Sequence, residues 1–114
     1  MLRLMLTDRI WQKLRRLLPV ETGRRSRPAK DHRLIVEGIF WRFRTGAPWR
    51  DLPDAFGPWG TVYTRFNRWS KSGVWESVFT AIRTDIDDEW NFIDATIVKA
   101  HQHASGQKKG RIKR

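Results

Sequence analysis

Hydrophobic side chains recur at helical spacing near the start of the chain. Thr7 and Asp8 form a typical helix start, and Pro19 is expected to end the helix that follows them. The apolar residues of this stretch share one face and the basic residues the other: Ile10, Trp11, Leu14, Leu17 and Leu18 against Arg9, Lys13 and Arg16. The pattern predicts an amphipathic helix whose basic side faces solvent or contacts phosphate.

A second helix is predicted from Asp31 to about Thr45, with Gly46 as its C-terminal glycine. Apolar residues surround most of it, which predicts a central helix packed on more than one side. Its broad face comprises Ile35, Val36, Ile39, Phe40 and Phe43, with Leu34, Gly38 and Trp41 towards the opposite side. The polar stretch 21–30, which contains Arg24, Arg25 and Arg27, predicts either a linker or a basic arm that follows a DNA groove.

The next stretch has the layout of a helix-turn-helix. It consists of one short helical turn around residues 51–56, a tight turn at Gly57 and a helix from about Trp59 to Lys71. Val62, Phe66 and Trp69 are expected to face the core. The opposite side carries groups that pair with bases or phosphates, namely Thr61, Thr64, Arg65, Asn67 and Arg68. An ordinary amphipathic helix with its polar side in water would give the same pattern.

The pattern changes towards the end of the chain. A further helix is predicted from Val74 to about Asp85, followed by an acidic linker. Residues 91–100 are rich in β-branched and aromatic side chains and predict a buried strand, whereas residues 101–114 predict a disordered basic tail. The expected fold class is mainly α: a helical bundle with a helix-turn-helix, then one short β-strand and the tail. The expected domains are residues 1–88 and 89–114.

The charge balance indicates a polyanionic partner. Lys and Arg number 23 against 12 Asp and Glu, which gives a formal net charge of +11. Such an excess neutralises phosphates of nucleic acid and releases counterions. The absence of Cys excludes disulfides, thiolate metal sites and Cys nucleophiles. No apolar run approaches membrane-spanning length and the N-terminal stretch is too short for a signal peptide, so a cytoplasmic location without membrane partners is expected.

Two residue types invite a functional interpretation that the spacing does not favour. The Trp residues at positions 11, 41, 49, 59, 69, 75 and 90 fall mostly at core spacing, which favours core anchors over base-stacking platforms. His101 and His103 would share one side of a strand. Two His without further ligands are weak evidence for a metal site.

Several linked motifs follow one another in a distinctive order. They are Leu6-Thr7-Asp8, Gly23-Arg24 with Arg27-Pro28, the run from Arg44 to Pro53, Phe56-Gly57-Pro58-Trp59, and Gly73-Val74-Trp75-Glu76. From about Leu6 to Gly106 the chain resembles the N-terminal region of transposases of the insertion-sequence-five family. The resemblance implies a bacterial, nucleoid-associated protein that recognises terminal inverted repeats in double-stranded DNA. It also implies a second copy or the full-length transposase as a protein partner.

In that family this region precedes a ribonuclease-H-like catalytic domain with an Asp-Asp-Glu triad. The segment from Ile93 to His101 resembles the first strand of that domain, so the resemblance places Asp94 at the first catalytic position. An exposed residue on a frayed segment is the alternative for Asp94. No Asp or Glu follows it, whereas a two-metal site needs several converging carboxylates. The chain alone is therefore expected not to be an enzyme and to need no cofactor, with magnesium serving only a full-length transposase.

The missing acidic residues lead to a hypothesis about origin. Lys108-Lys109 is compatible with an A-rich slippery sequence, so the chain is interpreted as an upstream-frame product in which Gly110 to Arg114 are read past the slip site. A truncation or a decayed pseudogene predicts the same residues. Three other functions remain open: a repressor of transposition, a stand-alone helix-turn-helix transcriptional regulator, and an RNA-binding protein, although the last needs exposed aromatic side chains.

Overall fold

The computed structural model describes residues 5–19, 29–85, 90 and 93–112. In chain order, these residues form α1 (Asp8–Arg15), α2 (Ala29–Thr45), the 3-10 turns Trp49–Asp51 and Asp54–Phe56, α3 (Trp59–Lys71), α4 (Val74–Thr84) and α5 (Asp94–Ile112). The prediction of a mainly α fold is confirmed. None of the described helices combines the length and the apolar character that crossing a membrane requires.

Helix α1 begins as its sequence predicts. Thr7 is the N-cap, and its Oγ1 accepts a hydrogen bond of 3.1 Å from the backbone N–H of Ile10. The apolar face of α1 is buried against the rest of the protein through Ile10, Trp11 and Leu14. Polar contacts attach the other side of α1 to the end of α4. Lys13 Nζ and Trp90 Nε1 both donate hydrogen bonds to Asp85 Oδ2, at 2.9 and 2.7 Å.

Helix α2 is the central helix. The five apolar residues predicted for its broad face are all buried, and Ile39 and Phe40 are completely enclosed. The helix begins at Ala29, two residues before the predicted start, because Ala and Lys are good helix formers that extend it. Gly38 allows the second 3-10 turn to approach closely: a Cβ at this position would lie 3.1 Å from Cβ of Phe56.

A buried carboxylate ties the N-terminal segment to α2. Glu37 is 2% exposed, and its two oxygens accept hydrogen bonds from the backbone N–H groups of Met5 and Leu6, at 2.8 and 2.9 Å. Arg33 adds a donor from the same helix, with its Nη2 3.0 Å from the carbonyl oxygen of Leu6. Burial raises the pKa of Glu37 above its usual value, although the two N–H donors and the charges of Arg33 and Arg44 act in the opposite direction.

Helix α5 contradicts the prediction for the end of the chain. Residues 94–100 are helical instead of forming a strand, and the helix continues to Ile112, through most of the segment predicted to be disordered. The buried residues explain the helix, since Ile93, Ile97, Ala100 and Ala104 recur at a helical period and form one apolar stripe. This stripe packs on α2, α3 and α4, and such tertiary burial outweighs the strand preference of β-branched residues.

The predicted division at residues 88 and 89 was made for a strand that would open a second domain. That strand is not seen in the described part of the chain, and α5 packs on the same core as the other helices. The assignment of residues 89–114 to a separate catalytic domain stays a prediction.

Candidate nucleic-acid interface

The segment before α3 differs from the short helix predicted there. It forms two separate 3-10 turns, and between them Leu52 has ψ 127°, which is an extended conformation. Pro53 explains the break, because proline disfavours a helical residue before it and lacks an N–H donor. Leu52 and Phe56 are nevertheless buried and anchor the segment to the core. A helix-turn-helix is therefore not confirmed, although the turn and the helix after it are present.

The turn itself depends on Gly57. Its φ of 100° and ψ of 174° lie in a region that residues with a Cβ rarely adopt. The tight turn predicted at Gly57 is therefore present, with the positive φ that glycine tolerates. Pro58 follows as the N-cap of α3 and contributes no side-chain hydrogen bond to the helix.

Replacing Gly57 with Ala is expected to lower the free energy of unfolding by about 1–3 kcal/mol, because the backbone must leave its present conformation or keep it under strain. Gly60→Ala is the matched control. Gly60 lies inside α3 with nothing within 4 Å of an added Cβ, so this variant should be as stable as the natural protein or slightly more so. Urea denaturation of both variants makes the comparison. Equal stability of the two would show that the turn carries no such strain.

The inner face of α3 fixes the position of the helix. Val62, Phe66 and Trp69 are at most 1% exposed, as their spacing predicts. The ring of Phe66 lies 5.2 Å from that of Phe43 on α2 and 5.6 Å from that of Trp75 on α4. The helix is thus packed against two neighbours, and this packing sets the direction of its outer face.

The outer face of α3 brings together four of the five residues predicted for it. Thr61, Thr64 and Arg68 are exposed, and Arg65 is half-buried, with its guanidinium carbon 5.7 Å from the centre of the Trp69 ring. We call the depression on this face the α3 groove. It has a volume of about 540 Å³ and is lined by Pro58, Gly60, Thr61, Thr64, Arg65 and Arg68.

The other predicted contact residues lie elsewhere. Asn67 is half-buried and does not line the α3 groove. Its Oδ1 is buried and accepts no hydrogen bond from the described residues. Arg24, Arg25 and Arg27 of the predicted basic arm lie outside the described residues. The roles of all these residues in DNA binding stay predictions.

Asp94 is exposed in the first turn of α5. The strand on which the resemblance placed it is a helix, so the predicted local structure is wrong, while its catalytic role stays a prediction. Among the described residues no three His, Cys, Asp or Glu side chains converge as metal ligands would.

The two histidines of α5 contact different rings. His101 stacks on Phe79 of α4, with ring centres 4.4 Å apart and planes within 2° of parallel. His103 is exposed but lies 5.5 Å from Phe43 and 5.8 Å from Phe66, where partial desolvation, followed by the charge of Arg42, lowers its pKa. The shared face expected for a strand is therefore absent, because positions i and i+2 of a helix point in different directions.

The prediction that the Trp residues are core anchors is correct with one exception. Trp11, Trp69, Trp75 and Trp90 are buried, and Trp41 and Trp49 pack partly buried on the core. Trp59 is 40% exposed at the start of α3. The i, i+4 spacing of Trp59 and Tyr63 is a sequence signal that could have identified an aromatic surface beside the α3 groove.

Comparison with known proteins supports the resemblance seen in the motifs. A family model described as "Putative transposase of IS4/5 family (DUF4096)" matches residues 6–79. An uncharacterized protein, y4sN, of Sinorhizobium fredii (strain NBRC 101917 / NGR234) is 36% identical over 106 residues, which cover 93% of this chain and 85% of that protein. The insertion element IS402 uncharacterized 16.2 kDa protein of Burkholderia cepacia is 29% identical over 113 residues, which cover 90% of this chain and 77% of that protein.

No solved structure matches the chain. The family model spans well over half of the sequence, from the N-cap region of α1 to the middle of α4. It includes the 3-10 turns and the whole of α3. The chain therefore belongs to the IS4/5 family of transposases.

Proposed function

We propose that the outer face of α3 binds duplex DNA. The observation that carries this proposal is the α3 groove, which is lined by two exposed threonines, the exposed Arg68 and the half-buried Arg65. Hydroxyl and guanidinium groups are the usual donors to phosphate oxygens, and guanidinium also pairs with guanine in the major groove. The net charge of +11 favours the approach of any nucleic acid to this surface.

The dimensions of the face suit a groove of DNA. Thr61 and Arg68 are seven residues apart on α3, so they are separated by about 10 Å along the helix axis. That distance corresponds to about three base steps, at about 3.4 Å each. The exposed side chains between them can therefore contact neighbouring nucleotides without any change in the backbone of the helix.

The natural DNA is proposed to be the terminal inverted repeat of an insertion element. Membership of the IS4/5 transposase family supports this choice, because such an enzyme acts at the ends of its element. The chain is proposed to recognise DNA rather than to cut it alone. Asp94 is the last acidic residue of the sequence, and catalysis by two metal ions needs several carboxylates around one site.

Replacing Arg68 with Ala tests this function. The variant is expected to bind duplex DNA that contains the element's terminal repeat about tenfold more weakly, the effect of removing one good contact. Fluorescence anisotropy at several salt concentrations measures the loss, and the salt dependence should decrease by about one released counterion if Arg68 contacts a phosphate. Arg68 is exposed, so the stability of the fold should change little.

Arg83→Ala is the matched control. Arg83 is an exposed arginine of α4, where its guanidinium lies 5.4 Å from the centre of the Phe79 ring, outside the α3 groove. Both variants lose the same charge, so a general electrostatic effect would weaken both equally. An equal loss in the two variants, or none in Arg68→Ala, would exclude the outer face of α3 as the DNA-binding surface.

A further inference from the structure

Trp59 is the one large hydrophobic side chain that is exposed in the described part of the chain. It lies at the first position of α3, between Pro58 and Gly60, which both line the α3 groove. Indole presents a large apolar face, so leaving it in water is unfavourable unless another molecule covers it. Its position beside the groove indicates where that molecule would come from.

Two further rings continue the surface from Trp59. Tyr63 lies 6.1 Å from Trp59, and Trp49 lies 5.5 Å from Tyr63, as measured between ring centres. Tyr63 and Trp49 are half-buried, and Trp49 packs on the core. We call these three rings the aromatic strip. It lies along one flank of α3, since Trp59 and Tyr63 are one helical turn apart.

The rings of the aromatic strip do not cover one another. The planes of Trp59 and Tyr63 make an angle of 58°, and those of Tyr63 and Trp49 an angle of 67°. No described ring stacks in parallel on Trp59, and 40% of this residue is exposed. At the other end of the strip, the guanidinium of Arg42 lies 5.4 Å from the centre of the Trp49 ring and brings a positive charge among the rings.

We infer that the aromatic strip stacks an unpaired base of the DNA whose duplex part lies on the α3 groove. The inference rests on the proposed function, because that function places the phosphate backbone beside Trp59. A nucleobase supplies the flat partner on which an exposed indole stacks, and such stacking tolerates any base. The charges of Arg42 and of the α3 groove favour a partner that carries phosphates over an apolar protein segment.

The inference assigns two parts of the same DNA to two adjoining surfaces. The α3 groove takes paired DNA through polar groups, and the aromatic strip takes a base that has left the helix or lies on a single strand. Duplex DNA with a short single-stranded overhang is therefore expected to bind more tightly than the same duplex with blunt ends. A gain of about tenfold corresponds to one stacked base.

Trp59→Ala tests this inference in the full chain. The probes are a blunt duplex, the same duplex with a single-stranded overhang, and the isolated single strand, each read by fluorescence anisotropy. The variant is expected to bind the blunt duplex as the natural protein does and to lose the gain of about tenfold that the overhang provides. Trp59→Phe keeps an aromatic face and should retain most of that gain. Far-UV circular dichroism of both variants tests whether the total helical content is unchanged.

Two outcomes would overturn the inference. One is that the natural protein binds overhang and blunt duplexes equally. The other is that Trp59→Ala keeps the full gain. Sedimentation of the natural protein and of Trp59→Ala tests the alternative that a second copy of this chain covers the aromatic strip. If Trp59→Ala only converts a dimer into a monomer, the strip is a contact between copies and the inference is wrong.

Failure of the proposed function gives a different result. If Arg68→Ala leaves blunt-duplex binding unchanged, duplex recognition by the α3 groove is wrong. The part of the inference that places duplex DNA on the α3 groove then fails as well. Stacking of an unpaired base on the aromatic strip is kept if Trp59→Ala weakens binding of the isolated single strand about tenfold, and it is excluded if that binding is unchanged.

Discussion

Glu37→Ala is expected to lower the free energy of unfolding by about 2–5 kcal/mol, a large part of the stability of a domain of this size. The carboxylate of Glu37 is the acceptor for two consecutive backbone N–H groups, those of Met5 and Leu6. Both residues are buried, so the variant leaves two donors without a partner in a region that little water reaches. Each unsatisfied buried donor costs about 1–3 kcal/mol. Urea denaturation followed by far-UV circular dichroism measures the change.

Glu37→Gln and Glu76→Ala separate the possible causes. Gln keeps one carbonyl acceptor and presents an amide donor to the other N–H, so an intermediate loss is expected. Glu76 is an exposed carboxylate in the first turn of α4, and its removal should cost less than about 1 kcal/mol. A loss in Glu37→Ala no larger than in Glu76→Ala would show that the N-terminal segment does not depend on this carboxylate.

The same residue gives a prediction for pH. Burial raises the pKa of Glu37 in the folded state above its value in the unfolded chain, so the folded state holds this proton more tightly. The stabilisation that comes from this tighter proton binding is complete below the pKa of the unfolded chain. It is lost as the pH rises through the pKa of the folded state. The natural protein should therefore lose stability relative to Glu37→Gln across that interval. An unchanged difference between the two proteins would show that the pKa is not raised.

Local sequence signals identified the elements that carry the candidate site. The start of α1 at Thr7, the bounds of α3 and the positive φ of Gly57 all follow from a residue and its immediate neighbours. The same is true of the alternation of buried and exposed faces on α3, because side-chain direction follows the helical period. These features needed no knowledge of the rest of the molecule.

The errors concern contacts between residues far apart in sequence. Residues 91–100 have the composition of a strand, and only the arrangement of α2, α3 and α4 gives their apolar stripe a helical surface to pack on. Glu37 had no recognisable partners, since Met5 and Leu6 lie 32 and 31 residues away. Trp59 is of a residue type that is usually expected in the core, and its exposure depends on which flank of α3 the other helices cover.

Ile97→Ala is expected to destabilise the whole described core, not α5 alone. Ile97 is completely buried in the stripe that packs on the three preceding helices, and replacing such an Ile with Ala costs about 2–5 kcal/mol. Val98→Ala is the matched control. Val98 is the half-buried neighbour of Ile97, so its replacement should lower the free energy of unfolding less. Tryptophan fluorescence reports chiefly on residues 11–90, whereas circular dichroism reports on all helices.

If α5 belongs to the same cooperative unit as α2–α4, both signals should shift to lower denaturant concentration together in Ile97→Ala, as a single transition. The α3 groove would then depend on α5 for its support, because α5 packs directly on α3. The opposite result is an unchanged fluorescence transition together with a separate transition of the helical signal at lower denaturant concentration. It would show that residues 93–112 fold independently. That result would favour the boundary predicted at residues 88 and 89, and with it a catalytic module that begins near Asp94.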